Sequence, residues 1–91
     1  GWCDLGTWES AYENSDKDDK NNSIIGENIM LYESEKCLIS NPTNKLIVVQ
    51  GLQDYIVVDS GESILICKKN EEQRIRQFVN DIQLQKGERY I

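Results

Sequence analysis

ENIMLYES (Glu27–Ser34) and QDYIVVDS (Gln53–Ser60) echo one another at an offset of 26 residues, and the fold turns on this pair. In each, two acid or amide residues precede four strand-prone residues, and an acid and a serine follow. The same offset lays Leu38–Ile39 on Ile64–Leu65. Three strands of about five residues with three turns make one coil of roughly this length. The echo therefore predicts a short parallel β-coil in which each repeat stacks on the previous one. Ile29–Tyr32 is expected beside Tyr55–Asp59, and an antiparallel meander is the alternative.

Around the echo, β-prone runs fall at Ile29–Tyr32, Cys37–Ser40, Leu46–Gln50, Tyr55–Asp59 and Ile64–Cys67. Turn signals separate them at Glu33–Lys36, Asn41–Asn44, Gly51–Asp54 and Ser60–Glu62. LIVV, YIVV and ILIC are continuously apolar, which points to strands covered on both faces. Downstream, Asn70 and Gln73 have capping-box spacing, and Ile75, Phe78, Val79 and Ile82 form one helical stripe. Glu71 and Glu72 suit the positive end of the helix dipole, Lys86 the negative end, and Gly87 is the stop. The stripe needs a surface, and the open end of the coil is the expected one, with a missing neighbour as the alternative. Upstream, Thr7–Ser15 reads as a short helix with Thr7 as N-cap and Trp8, Ala11 and Tyr12 on one side.

Ninety-one residues make one small domain with room for a modest core. A formal charge of −6 argues against sequence-independent nucleic-acid binding, which needs clustered Lys and Arg. With no histidine, the commonest general base and most transition-metal sites are absent. Cys3, Cys37 and Cys67 are odd in number and widely spaced, which fits free thiols in a reduced, cytoplasmic setting. No apolar run is long enough to span a bilayer, so no membrane partner is expected. Asp16, Asp18, Lys20 and Glu27 fall at calcium-loop positions. Lys20 puts a cation where an oxygen ligand belongs, so a solvated loop is the better reading.

GWCDLGTW (Gly1–Trp8) concentrates two tryptophans, two glycines and one acid. Gly6 allows a tight turn, the tryptophans anchor it, and Asp4 is held between them. A fixed single carboxylate can serve a magnesium site that also uses substrate phosphates. Capping the following helix is the equal alternative for Asp4. No phosphate-cradling glycine motif occurs and the other carboxylates are scattered, so no catalytic residue can be named.

The octet resembles the W-S-D-V-G-S-W signature near the end of the catalytic domain of bacterial mannose-1-phosphate guanylyltransferases, with Cys3, Leu5 and Thr7 as mild replacements. The G-E-N-I-M-L segment from Gly26, the C-L-I-S strand, the L-I-V-V-Q-G-L-Q-D-Y-I-V-V-D run and the closing I-L-I-C-K-K follow in family order. The resemblance implies a mainly β chain: a short irregular left-handed parallel β-helix-like coil with an N-terminal helix and a C-terminal capping helix. It implies residues 1–23 as the end of the nucleotidyltransferase domain and linker, 24–69 as the β-helix-like domain, and 70–91 as the C-terminal helix. A 26-residue period, in place of three hexapeptides, makes that coil irregular.

The implied reaction transfers guanylyl from GTP to mannose 1-phosphate, giving GDP-mannose and pyrophosphate, with Mg2+ and with Asp4 as a metal ligand. The glycine-rich loop, second carboxylate and sugar pocket would lie in a missing N-terminal catalytic domain. The 91 residues alone are therefore expected to be inactive and to form a homo-oligomer, with Trp2, Trp8 and Tyr12 uncovered at the severed edge. A free-standing β-rich interaction module, or the tail of a nucleotidyltransferase for another sugar 1-phosphate, are the competing readings.

Overall fold

The computed structural model describes residues 8–90. Helix α1 (Trp8–Asn14) is followed by β1 (Ser23–Gly26), β2 (Ile29–Tyr32), β3 (Leu38–Asn41), β4 (Ile47–Gln50), β5 (Tyr55–Asp59) and β6 (Ile64–Lys68). A 3-10 turn (Lys69–Arg74) leads into α2 (Ile75–Lys86). Four strands form one sheet in the order β1-β3-β5-β6, and β2 and β4 form a second. All pairs are parallel except β5–β6. A parallel coil is therefore correct, and the single hairpin is what remains of the antiparallel alternative.

The repeat is not the 26-residue echo. Ile29 lies beside Ile47 and Leu38 beside Ile56, each eighteen residues on. The isolated Glu35–Gln53 bridge has the same offset. Only the first step is shorter, with Ser23 fifteen residues before its partner Leu38. Ile29–Tyr32 thus pairs with Ile47–Gln50, not with Tyr55–Asp59, and Leu38 does not meet Ile64. The physical reason is that stacking aligns inward apolar side chains, whereas the 26-residue echo matched acids and serines in unlike surroundings: Ser34 and Asp59 are buried, their counterparts Ser60 and Glu33 exposed. Eighteen residues is three hexapeptides, so the expected irregularity of period is confined to the first step.

Corners repeat with the strands. Glu33 and Gly51 have positive φ at equivalent places, as do Asn21, Lys36 and Asp54. At Gly26 the requirement for glycine is steric. Its φ is +104°, and a Cβ there would lie 2.1 Å from the Asn41 carbonyl oxygen.

Each face of the larger sheet has its own cover. Cys37, Ile39 and Val57 point inward and pack with Val49, Ile29, Leu31 and Ile47 of the smaller sheet. Leu38, Ile56, Val58, Leu65 and Cys67 point outward and pack under Trp8 and Ile75, with Ala11, Tyr12, Phe78, Val79 and Ile82 around them. The α2 stripe is as expected, but it covers an outer sheet face and not the end of the coil. Of the three continuous apolar runs only YIVV of β5 is covered on both faces; in LIVV and ILIC one set faces solvent, Leu46, Val48, Ile64 and Ile66 each being more than half exposed. Each fully buried Leu or Ile contributes roughly 2 kcal/mol.

Other local readings change. Strand β1 begins at Ser23, the last residue of the stretch read as loop and linker, and runs on through Gly26, where no strand was expected. Asn70 caps nothing, because the Lys69 N–H is pinned to the Asp54 carbonyl at 2.7 Å and Asn70 lies inside the 3-10 turn that follows. Helix α2 starts after Arg74 without a side-chain cap, and Gly87 does end it. Thr7 lies outside the described residues, so its capping role does too. Trp8 is buried in the outer core. It is therefore not part of an uncovered aromatic edge, and Trp2 lies outside the described residues.

Polar groups lock successive coils. Buried Asn22 accepts the Cys37 N–H at 3.0 Å and donates to the Ser34 carbonyl at 2.9 Å. Asn41 donates to the carbonyls of Glu27 and Lys45 at 3.0 and 2.7 Å. One coil later Asp59, 1 % exposed, takes the equivalent place. Its Oδ2 lies 2.8 Å from the Lys45 ammonium, and its Oδ1 accepts the Gly61 N–H at 2.8 Å. These bonds, led by that from Lys45, outweigh burial and hold its carboxyl below the usual range.

Two expectations follow. Gly26→Ala forces strand β1 away from Asn41 and costs about 3 kcal/mol or more in denaturant unfolding. Asp59, with its folded pKa below the unfolded one, stabilises the protein above the ordinary aspartate range, and that contribution is lost as pH falls through the folded value. Asp59→Asn should cost about 1–2 kcal/mol at neutral pH, Lys45 being half exposed, and should flatten the loss of thermal stability below about pH 4.

Candidate functional site

A concavity opens where α1 meets the 3-10 turn and the last corner of the coil. It measures about 780 Å³ and is lined by Glu9, Tyr12, Asp54, Lys69, Glu72 and their neighbours. Helix α1 is short, and three contacts fix it here. Trp8 is sunk in the outer core, the Glu9 N–H donates to Glu72 Oε2 at 3.1 Å, and the Tyr12 hydroxyl donates to the Asn21 carbonyl at 2.5 Å.

Lys69 is the centre of the concavity. Its ammonium donates to the Lys36 carbonyl at 2.6 Å, stands 3.7 Å from Asp54 Oδ1 and lies 3.5 Å from the Tyr12 ring centre. Lys17 approaches the same ring at 4.5 Å. A cation close to an aromatic face is attracted by the ring quadrupole, so Tyr12 ties the helix to two loops at once. Desolvation lowers the Lys69 pKa, with Asp54 acting against it, and desolvation raises that of Tyr12, with Asp54 adding to it. Sequence reasoning missed this cluster, although Asp54 sits at a turn signal and Tyr12 on the apolar side of a helix already recognised.

The arrangement positions parts. The described residues contain no group of three or more Cys, Asp or Glu side chains that could hold a metal. Cys37 and Cys67 are buried, and burial pushes both thiols up, away from the nucleophilic thiolate. In the calcium-like loop, Asp18 accepts from the N–H groups of Lys20 and Asn22 at 2.9 and 2.8 Å. Burial raises its pKa, but the bonds from Asn22 and Lys20 outweigh that and lower it overall. It is a turn brace. Asp4, the one metal ligand expected from sequence, lies outside the described residues, immediately upstream of α1. The structure thus places the helix that follows Asp4 and brings Glu27, Asp16 and Asp18 into no common site.

Comparison with known proteins supplies the rest. Residues 26–82 match the profile of a family described as MannoseP isomerase/GMP-like beta-helix domain. A putative mannose-1-phosphate guanylyltransferase of Vibrio cholerae is 34% identical over 99% of this chain and 19% of its own length. The alginate biosynthesis protein AlgA of Pseudomonas putida is 33% identical over 90% of this chain and 16% of its own. A crystal structure named as a mannose-1-phosphate geranyltransferase from Thermus thermophilus superposes with a TM-score of 0.70. It covers 87% of this chain and 24% of that one at 18% identity, which speaks to fold alone. The chain spans about a fifth of the length of the curated relatives it matches.

Replacing Lys69 by alanine should loosen α1 without dissolving the coil. The expected result is a loss of about 1–3 kcal/mol in stability and faster amide exchange across Trp8–Asn14, with β3 and β5 amides still protected.

Proposed function

We propose, from the premise that this chain belongs to the MannoseP isomerase/GMP-like β-helix domain family, that it is the β-helix part of an enzyme making GDP-mannose and pyrophosphate from GTP and mannose 1-phosphate. The observation that carries the reading is the alignment of nearly all 91 residues with proteins named as mannose-1-phosphate guanylyltransferases, which favours mannose over another sugar 1-phosphate. In this reading residues 1–23 end the nucleotidyltransferase domain, 24–69 wind as a left-handed coil and 70–91 form the closing helix. The GTP site and most of the chemistry belong to a preceding catalytic domain, and the whole protein works in the cytoplasm. No helix among the described residues is long and apolar enough to cross a membrane.

Magnesium, when bound, would neutralise charge on the phosphates during transfer. Asp4 is the residue of this chain assigned to it, on the resemblance of its octet Gly1–Trp8 to the signature of mannose-1-phosphate guanylyltransferases. The remaining task of the chain is mechanical. Trp8 in the outer core and Tyr12 against Lys69 hold the segment that follows Asp4 at a fixed place on the coil. A metal carboxylate is useful only when its position is fixed within a fraction of an ångström, so a rigid mount matters to turnover. Homo-oligomerisation belongs to the same reading, supported by isoleucines left uncovered at the end of the coil.

The test is made in the full-length enzyme. Asp4→Asn should lower turnover at least about a hundredfold while thermal stability and circular dichroism stay as in the parent. The 91-residue chain alone should make no GDP-mannose. Wild-type turnover in the variant would remove Asp4 from the site, and synthesis by the isolated chain would end the reading altogether.

A further inference from the structure

The two sheets differ in width, and the difference leaves an uncovered ledge. The larger sheet has four strands and the smaller only two. The smaller sheet packs beneath β3 and β5, so β1 and β6 overhang it. On β6 the inward residues are Ile64 and Ile66, and Ile66 lies beside the buried Val57. They continue the apolar lining of the coil past its last turn, yet they are 56 % and 59 % exposed.

Their strand is also a free edge. Among the described residues β6 pairs only with β5. At the other end of the sheet, β1 is partly guarded by an antiparallel bridge between Lys17 and Ser23. Nothing equivalent flanks β6 among the described residues. The described residues after α2 meet the turn before β6, where Ser63 Oγ donates to the Tyr90 carbonyl and Arg89 stands 3.5 Å from exposed Glu62. An edge strand with exposed isoleucines is a template for pairing with another strand.

We propose that β6 pairs antiparallel with β6 of a second copy of this chain, about a two-fold axis at Ile66, joining the two larger sheets into one. This deepens the self-association included in the proposed function and rests on it, but not on the enzymatic reading. The strand is self-complementary in this register. Ile66 meets its symmetry mate, and Leu65 meets Cys67 on the face already covered by helices. Ile64 meets Lys68, and Glu62 lies diagonally across from the same lysine on the same face. Lys68 is exposed and has no ion pair among the described residues, so each end of the paired strands would bring one free cation to one carboxylate. Opposite charges facing across a strand pair stabilise it, and an isologous contact doubles every such pair. The four isoleucines of the two copies would close both coil ends against each other. A contact of one strand pair is small, so micromolar association of the isolated chain is expected.

Sedimentation velocity over a wide concentration range, with amide exchange at the two extremes, tests this. The wild-type chain should dimerise with concentration, and protection should rise in Ile64–Lys68 but not in Ser23–Gly26. Ile66→Lys should be monomeric throughout with an unchanged circular dichroism spectrum, because that side chain is already more than half exposed. Lys68→Glu should weaken the dimer about tenfold, and adding Glu62→Lys should restore it. A wild-type chain that stays monomeric overturns both the pairing and the self-association. A dimer that survives Ile66→Lys, or that protects β1 in place of β6, overturns the pairing and leaves self-association through another surface.

Discussion

Strands β3 and β5 are buried on both faces, and the rest of the chain is arranged around that constraint. Leu38, Ile39, Ile56, Val57 and Val58 are all nearly inaccessible, and in a strand consecutive residues point opposite ways. One set needs a cover below and the other a cover above. The smaller sheet supplies the first and the two helices the second. A chain of this length has few residues to make two layers of cover. It does so by winding, so that the same eighteen-residue turn delivers a core strand and a covering strand together.

Winding then dictates where special backbone geometry falls. Corners that repeat must turn the chain sharply without a side-chain clash, which is why positive φ recurs at Glu33 and Gly51 and at Asn21, Lys36 and Asp54. Most of these are not glycine, and left-handed geometry costs an ordinary residue roughly 1–2 kcal/mol. Bonds between coils offset that. The Asp54 N–H donates to the Glu35 carbonyl and the Gly51 N–H to the Tyr32 carbonyl, each one coil back. Buried Asn22, Asn41 and Asp59 do the same with side chains where the backbone leaves the sheet.

Much of this was legible in the sequence, and the failures have a common cause. Five strands, both helices, the parallel stacking and the apolar stripe of α2 followed from periodicity and turn residues. The register did not, because the 26-residue echo rests on acids and serines whose surroundings differ, Ser34 and Asp59 being buried and Ser60 and Glu33 exposed. Ile29, Leu31, Leu38 and Ile39 recur as Ile47, Val49, Ile56 and Val57 at eighteen residues, and that apolar match was present throughout. β1 was missed because SIIG is short and follows a charged loop. The Tyr12–Lys69–Asp54 cluster could not be found by any local rule, since its members come from three separated elements. The assignment of Asp4 rests on the resemblance of its octet alone, since spacing left a metal ligand and a helix cap on equal terms.

The hairpin at the end of the coil decides what the chain can attach to. A parallel coil could in principle go on adding turns, since each strand offers the next an edge in the same direction. β6 stops this by reversing, with Asp59 facing Ile64 across the turn. The reversal brings the chain back along β5 and delivers Lys69 to the corner at Asp54, the place from which α2 can cross the outer face. It also fixes α1, because Glu72 of the same turn accepts the Glu9 N–H and Lys69 holds Tyr12. One change of strand direction thus ends the repeat, launches the covering helix and anchors the segment that follows Asp4. Its cost is the pair of isoleucines on β6 that no strand among the described residues covers.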